Sequence, residues 1–338
     1  MRFVRPEPIM RRLPRRFLLA APLLAPIGAS ATGTPAYPLG PVTLVAPFSA
    51  GGTADRSARL LAERAPAHLP NRAARILVQN QIGASGAIGT AVVARAAPDG
   101  LTLLLARVAS SAILPALDPR TPYTWDEFST LGLLDQSPFV LCVSRNAAWG
   151  SLEAVLNALR EQPGQLRFAT TGPATLLDLG MRELFTLAGL PFDAANAVPC
   201  AGAGEAAQAL IEQKVELLGS NLGDVLPAIR AGKLRPLLIG SRERFEGLPQ
   251  VPSALETGLA PLARIVGWNA VFGPAGLPEP VIAAWAQAIA GLRQDAVWQR
   301  TIRAEGSVPM LLTPEATRGF LADQVALYRD LGRKLGLV

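Results

Sequence analysis

The sequence contains very few of the side chains that usually carry metal binding or acid–base catalysis. Among 338 residues there are two cysteines, Cys142 and Cys200, and one histidine, His68. These three residues cannot supply the four ligands of a structural zinc site. Each cysteine lies in an apolar stretch that suits a small buried side chain, so we predict that the two are not bonded to each other. His68 follows the first predicted helix, where a surface or helix-terminal role is expected.

The sequence also lacks a basic surface and a long apolar run. The formal net charge is +6, but residues 1–31 contain six arginines and one glutamate. Without them, 26 Lys and Arg remain against 25 Asp and Glu, and no basic stripe is left to follow a phosphate backbone. The apolar run 17–27 has eleven residues, fewer than the roughly 20 that a membrane span requires. We therefore expect neither a nucleic-acid partner nor a membrane-spanning chain.

Residues 1–31 have the features of an export signal. An arginine-rich start precedes the apolar run 17–27, and residues 29–31 read Ala-Ser-Ala, a small-x-small cleavage signal. The pattern predicts a cleaved signal peptide and a mature chain beginning near Thr32. Arg15 and Arg16 precede the apolar run as in a twin-arginine signal, so the Sec and twin-arginine routes are both open.

Strand and helix patterns alternate through the rest of the chain. Half of all residues are apolar, and 32–338 is long enough to form two domains with separate cores. Apolar runs such as 42–46 and 101–106 are typical of strands buried on both faces, and amphipathic patterns such as 57–67 and 176–188 are typical of helices. This succession predicts an α/β fold with a mostly parallel sheet flanked by helices.

The turns after the predicted strands are rich in small residues. In open parallel sheets, ligands bind at the carboxyl ends of strands. The turn at 47–55 reads Pro-Phe-Ser-Ala-Gly-Gly-Thr-Ala-Asp and leads into a helix, whose unpaired N–H groups and dipole can hold a carboxylate or phosphate. A purely steric reason for its glycines is an equal alternative. The strand-end turns are 49–53, 107–111, 170–175, 202–204 and 220–221.

The order of several motifs resembles the periplasmic receptors of tripartite tricarboxylate transporters, of the Bordetella uptake gene type. These motifs are Pro47-Phe48-x-x-Gly51-Gly52-Thr53-x-Asp55, Gly83-Ala84-Ser85-Gly86-Ala87-Ile88-Gly89, Ala97-Pro98-Asp99-Gly100-x-Thr102-Leu103-Leu104, and the blocks 122–123, 231–235, 248–253 and 272–278. The resemblance covers essentially all of 32–338.

The resemblance implies a two-domain Venus-flytrap receptor that closes on one small organic carboxylate. It places domain 1 at 32–138 plus 265–338, domain 2 at 139–264, and the ligand cleft between them. It also implies a periplasmic monomer without cofactor, metal or catalytic residues, whose partners are the ligand and membrane permease subunits. Asp55 is expected to cap or anchor its helix rather than touch an anionic ligand.

The resemblance and the strand-end turns together define the predicted ligand contacts. The family motif implies contacts mainly through backbone N–H groups and hydroxyls. Arg107, Ser110 and Ser220 are added because they lie at strand ends. The predicted ligand-binding residues are Phe48, Ser49, Ala50, Gly51, Gly52, Thr53, Arg107, Ser110, Thr170, Thr171, Gly172, Thr175, Gly202, Ala203, Gly204, Ser220 and Asn221.

Departures from the family pattern affect the expected ligand. Residues 199–202 read Pro-Cys-Ala-Gly where relatives usually have Pro-Tyr-Lys-Gly, and Ser220 replaces a usual Asp before Asn221. A less polar far side favours a monocarboxylate over citrate. Arg107 has the opposite effect on the expected ligand if its guanidinium faces inward, because it would then pair with a carboxylate. A solvated arginine at the strand end would have no such effect.

Two alternative functions remain from the sequence. The same fold would serve an orphan receptor that signals to a sensor kinase instead of feeding a permease. An exported hydrolase would have to use Ser49 or Ser85, but neither serine lies in a Gly-x-Ser-x-Gly elbow and His68 is the only histidine. The hydrolase is therefore the less favoured reading.

Overall fold

A computed structural model describes Val4 and residues 36–338 of the chain. Residues 36–338 form one compact unit. The predicted signal peptide, its cleavage site and its arginine pair lie outside the described residues, except for Val4. In the described part, no helix combines the length and the apolar character needed to cross a membrane.

The described residues contain one mixed sheet in which two parallel groups flank an antiparallel centre. Its strands are β1 (Val42–Ala46), β2 (Ile76–Asn80), β3 (Thr102–Arg107), β4 (Ser129–Ser144), β5 (Arg167–Thr170), β6 (Asn196–Pro199), β7 (Leu217–Asn221), β8 (Leu234–Gly240), β9 (Val266–Gly273) and β10 (Val308–Pro309). The order is β2-β1-β3-β9-β4-β7-β5-β6, with β8 and β10 also paired to β4. Pairing is parallel within β2-β1-β3 and within β7-β5-β6, and antiparallel around β9 and β4.

Strand β4 joins the two ends of the sheet. Its residues 129–138 pair with β9, whereas residues 139–144 pair with β7 and β8. The predicted domain boundary between residues 138 and 139 coincides with this change of partners. The division into two domains stays a prediction.

Helices cover both faces of the sheet. They are α1 (Thr53–Arg64), α2 (Ala87–Ala94), α3 (Leu114–Leu117), α4 (Leu152–Glu161), α5 (Leu176–Leu187), α6 (Ala203–Ile211), α7 (Leu222–Arg230), α8 (Glu279–Gly291), α9 (Ala296–Ala304) and α10 (Pro314–Lys334). Several begin at residues that the sequence marks clearly. Thr313 Oγ1 accepts the N–H of Ala316 before α10, and the Asp295 carboxylate accepts two N–H groups at the start of α9.

The core depends on close approach at the point where β4 changes partners. Phe139 is fully buried there, and its ring lies over Gly219 of β7 and Gly180 of α5. A Cβ at either glycine would come within 2.5 Å of the ring. Any larger residue would therefore push β7 or α5 away from β4.

The strands predicted at 42–46 and 101–106 and the helix predicted at 176–188 are confirmed, with three local corrections elsewhere. Residues 109–117 are a π-helical turn followed by α3, in place of the strand-end turn predicted at 107–111. The helix predicted at 57–67 begins at Thr53, four residues earlier, and the predicted turn 202–204 contains the first two residues of α6. Cys142 and Cys200 are both free, as predicted, and His68 ends a short 3-10 helix after α1.

Candidate functional site

The turn before α1 is held in place by a buried carboxylate. Gly51 has φ +78°, a left-handed conformation that favours glycine, and its N–H donates to Asp55 Oδ2 at 2.9 Å. Asp55 also accepts from Arg59 Nε at 2.9 Å and from Asn80 Nδ2 at 3.0 Å. The Arg59 bond, together with those from Gly51 and Asn80, lowers the pKa of Asp55 to about 2. Asp55 thus anchors its own turn, as the sequence suggested.

A similar arrangement of an acid and the preceding turn occurs at three other helices that follow predicted site turns. An acid stands at the third position of each helix and accepts a hydrogen bond from the turn before it. Asp178 accepts from the Ala174 N–H at 3.4 Å, Glu205 from the Ala201 N–H at 2.8 Å, and Asp224 from Asn221 Nδ2 at 3.1 Å.

These acids do not cap the first N–H groups of the helices, although in α7 the Gly223 N–H already donates to Ser137 Oγ at 3.1 Å. No side chain caps α1, α5, α6 or α7 at its N-cap residue, which is Gly52, Thr175, Gly202 or Asn221. The first-turn N–H groups have no partner within their own helices. Such groups, with the positive end of the helix dipole, favour an anion.

Helices α1 and α7 meet through a direct hydrogen bond. Thr53, the first residue of α1, donates its hydroxyl to Asp224 Oδ1 at 2.9 Å. Asn221, the N-cap of α7, is nine-tenths buried, and its Oδ1 has no hydrogen-bond donor among the described residues. Gly267 of β9 packs directly against Asn221, and a Cβ at that position would collide with its Oδ1. The two helix N-termini therefore lie side by side.

Arg107 lies next to this junction. It is the last residue of β3, half-buried, and its Nη1 donates to Thr53 Oγ1 at 3.3 Å. Its guanidinium lies 5.6 Å from the centre of the Phe48 ring. No ion pair involving Arg107 forms within the described chain. A half-buried cation without a carboxylate partner therefore faces the head of α1.

Phe48 and Ser110 pack together beside Arg107 because of Gly86. That residue has φ +92°, and a Cβ on it would lie 3.0 Å from both Phe48 Cζ and Ser110 Cβ. Ser110 is fully buried; its backbone carbonyl accepts from the Tyr123 hydroxyl at 2.7 Å, and its own hydroxyl has no partner among the described residues. Ser110 is therefore held by packing inside the buried π-helical turn and does not lie in an open strand-end loop.

A buried acid lies beneath the same region. Arg107, Asn269 and Asp135 stand in one cross-strand row of β3, β9 and β4. Asn269 Nδ2 donates to Asp135 Oδ1 at 2.9 Å and to Ser57 Oγ of α1 at 3.2 Å. Burial raises the pKa of Asp135 to about 6, against the opposing effects of the Asn269 bond and the Arg107 charge. This row ties α1 to the centre of the sheet.

The structure brings together some predicted site residues and leaves others apart. Phe48, Thr53, Arg107 and Ser110 form one group, and Asn221 joins it through Asp224. Ser220 is buried at the end of β7 without a hydrogen-bond partner in the described chain. The remaining predicted residues lie in or beside the turns before α1, α5 and α6. Thr170 ends β5, Ala203 and Gly204 are the first two residues of α6, and the others are Ser49, Ala50, Gly51, Gly52, Thr171, Gly172, Thr175 and Gly202.

The turn before α5 uses its hydroxyls internally. Thr170 and Thr175 both donate to the Gly172 carbonyl, at 3.0 and 2.8 Å. Within the described residues, no hydrogen bond links this turn, or the 202–204 turn, to Thr53 or Arg107. Pairing of β5 with β6 places these two turns next to each other, because Thr170 is in register with Pro199.

Sequence reasoning missed Asp224 and the row beneath α1. Asp224 has a signal in the sequence, since it follows its N-cap by three residues just as Asp55 follows Gly52. Asp135 and Asn269 have no such signal, because their contact depends on the register of two strands 134 residues apart. Two surface pockets, of about 340 and 300 Å³, contain none of the predicted site residues.

Comparison with known proteins identifies the kind of protein to which this fold and these turns belong. The family model described as "Tripartite tricarboxylate transporter family receptor" matches residues 58–337. The chain belongs to this receptor family, as its motifs had indicated.

Individual relatives agree with the family. Protein BugT of Bordetella pertussis is 32% identical over 324 residues, which is 95% of each chain. A solved structure described as a periplasmic transporter has a TM-score of 0.79 at 28% identity and covers 89% of this chain and 99% of that one. The structure of MatC from Rhodopseudomonas palustris with bound malate has a TM-score of 0.74 at 27% identity, covering 87% and 99%. The periplasmic-binding-protein fold class is thereby confirmed.

Proposed function

We propose that the chain is an extracytoplasmic solute receptor that captures a small organic carboxylate at the group formed by Phe48, Thr53, Arg107 and Asn221. The observation that carries the proposal is the half-buried Arg107, which forms no direct ion pair in the described chain and lies beside the uncapped start of α1. The family supports a receptor role, and the malate-bound relative supports a carboxylate ligand.

The proposed binding mode combines a guanidinium with backbone donors. A carboxylate near Thr53 would accept hydrogen bonds from the first-turn N–H groups of α1 and from Arg107, which are charge-assisted and short. The aromatic face of Phe48 keeps the guanidinium in place and excludes water from one side. The turns before α5 and α6 are proposed to hold the rest of the ligand through Thr170, Thr171, Gly172, Thr175, Gly202, Ala203 and Gly204.

Delivery to a membrane permease is the proposed physiological role, with the predicted signal peptide directing the chain to the periplasm. We propose no catalytic function. His68 lines a surface pocket with Arg72 and Gly291, and neither Ser49 nor Ser85 takes part in that pocket. The lone histidine is therefore not positioned with the serines that a hydrolase would require.

A thermal-shift screen tests the proposal most directly. Mono-, di- and tricarboxylates, amino acids and nicotinate-like aromatics should be tested against the mature chain. A true ligand at a hundredfold excess over its dissociation constant should stabilise the protein by about 2.7 kcal/mol. The receptor proposal fails if no carboxylate raises the melting temperature.

The role of Arg107 is tested on the best carboxylate from that screen. Arg107→Gln should weaken its binding by at least about tenfold, because a charge-assisted hydrogen bond contributes about 1.5–3 kcal/mol. Arg300→Gln is the matched control, because it removes the same positive charge from an exposed position on α9. Equal affinities of the two variants would remove Arg107 from the site.

A further inference from the structure

We propose that Asp224 makes this site selective for carboxylates that also carry a hydrogen-bond donor, a hydroxyl or an ammonium group, close to the carboxylate. The inference rests on the proposed function, because it concerns the same group of residues. It adds a second chemical requirement on the ligand, set by an acid that faces the junction of α1 and α7.

Asp224 differs from two of the other acids at the third positions of these helices by its lack of an ion pair, and from the third, Glu205, because Glu205 is exposed whereas Asp224 is half-buried. Asp55 and Asp178 are each neutralised by an arginine one helical turn later, through the pairs Arg59–Asp55 and Arg182–Asp178, both at 2.9 Å. The residue one turn after Asp224 is Ala228. No ion pair involving Asp224 occurs among residues 36–338. Its negative charge therefore remains without a cation on its own helix.

Acceptor oxygens at this junction outnumber donors. A carboxylate offers about four acceptor positions, and Asp224 is contacted by two donors, Thr53 Oγ1 and Asn221 Nδ2. Asn221 Oδ1 is buried against Gly267 of β9, so the acceptor positions left at the junction are those of Asp224. A ligand that brings a donor to this junction would pair with carboxylate lone pairs that the protein itself does not use.

The positive charge of Arg107 is connected to Asp224 through the Thr53 hydroxyl. Arg107 Nη1 donates to Thr53 Oγ1, and the same hydroxyl donates to Asp224 Oδ1. A simple carboxylate bound to Arg107 would add a second negative charge near Asp224, which is unfavourable. A ligand with a hydroxyl or ammonium group next to its carboxylate would place the carboxylate at Arg107 and the donor at Asp224. Such ligands include 2-hydroxy acids and 2-amino acids.

Calorimetry with sets of acids that share a carbon skeleton tests the inference. The sets are propionate, lactate and alanine; succinate, malate and aspartate; and phenylacetate, mandelate and phenylglycine. Within the set that binds, we expect the wild type to prefer a donor-bearing member over the unsubstituted acid by about tenfold or more. Asp224→Asn should reduce the preference for the ammonium-bearing member by about tenfold and leave the unsubstituted acid bound as well or better.

Two further variants separate selection from general damage. Asp224→Ala removes both acceptor oxygens and should abolish the preference for either donor. Asp323→Asn, at an exposed position on α10, makes the same charge change away from the site and should leave the ratios unchanged. Melting temperatures without ligand show whether each variant is folded.

The outcomes distinguish the two proposals. If no carboxylate of the thermal-shift screen or of these sets binds the wild type, the proposed function and this inference both fall. If acids bind but the unsubstituted member binds as tightly as its donor-bearing partners, or if Asp224→Asn leaves the ratio unchanged, only the inference is overturned. Loss of the ratio in Asp224→Asn together with retained binding of the unsubstituted acid supports both.

Discussion

The starts of α1 and α7 use the same residue at the same helical position for different purposes. Asp55 lies three residues after Gly52, is neutralised by Arg59, and fixes the turn that precedes its own helix. Asp224 lies three residues after Asn221, has no arginine one turn later, and accepts a hydrogen bond from the other helix. Both acids accept a hydrogen bond from the residues just before their helices, but a cation four residues later pairs with Asp55 and none pairs with Asp224 in the described chain.

The largest expected effect concerns Asp135, the buried acid that supports α1 through Asn269 and Ser57. Its pKa is about 6 in the folded chain and 3.8 in the reference state, so folding favours the protonated form. This contribution to stability is complete below pH 4 and is lost as the pH rises through 6. Between pH 4 and pH 8, the unfolding free energy of Asp135→Asn should rise by about 2–3 kcal/mol relative to that of the wild type.

Urea unfolding of both proteins at several pH values measures this difference. Asn at position 135 keeps an acceptor for Asn269 and offers an N–H to Asn269 Oδ1, which lacks a donor in the described residues. Parallel stability curves for the two proteins would show that Asp135 does not titrate in this range.

The next largest effect is expected at Asp55. Its pKa is lowered to about 2, so its contribution to stability is present above pH 4 and is lost as the pH falls towards 2. Asp55→Asn should cost about 2 kcal/mol at pH 7, because bonds to a charged carboxylate are lost. The difference from the wild type should shrink between pH 5 and pH 3.

Asp224→Asn is the matched control for Asp55→Asn in unfolding experiments. It changes the same residue type at the same helical position, and it should cost less than about 1 kcal/mol, because only neutral donors contact Asp224. Equal losses in the two variants would contradict the distinction between the two helix starts.

A smaller effect is expected from Thr53, the residue that joins the two helices. Thr53→Val keeps the shape but removes the hydroxyl that accepts from Arg107 and donates to Asp224. We expect a loss of about 1 kcal/mol in unfolding free energy. Thr53→Ser keeps the hydroxyl and should restore most of it; a serine variant as unstable as the valine variant would assign the loss to packing of the methyl group.

The smallest effect is expected at Arg56. Its Nε lies 3.1 Å from Glu305 Oε1, but the arginine side chain is 41% exposed. Exposed pairs contribute little and are screened by salt, so Arg56→Gln should cost about 0.5 kcal/mol, and less at high salt. Denaturant unfolding at two salt concentrations, with Arg300→Gln as the control, measures it. A salt-independent loss several times larger would show that this contact holds α1 in position.

Local patterns in the sequence were enough to predict most of the helices and strands, and also the role of Asp55 at the start of α1. The apolar run 42–46 followed by Gly51 and Gly52 predicted a strand, a turn and a helix start, and Asp55 was expected to cap that helix. These features are local: they depend on residues within a few positions of one another. The receptor family was likewise indicated by motifs that each span a few residues.

Features that depend on distant contacts were not predictable. The stretch 109–117 contains small and apolar residues that suit a turn or a helix equally, and its burial among neighbouring elements decides for the helix. The row of Arg107, Asn269 and Asp135 depends on the register of three strands. Nothing near Asp135 in the sequence indicates that it will be fully buried beside an amide.

The sequence by itself determined the fold class and the family, because these follow from periodicity, turn chemistry and short motifs. Only the tertiary structure decided which charges are neutralised and which are not. Arg107 and Asp224 are 117 positions apart in the chain, and folding brings both to the hydroxyl of Thr53. Electrostatic interaction depends on distance and burial in space, and neither quantity is encoded in the spacing along the chain.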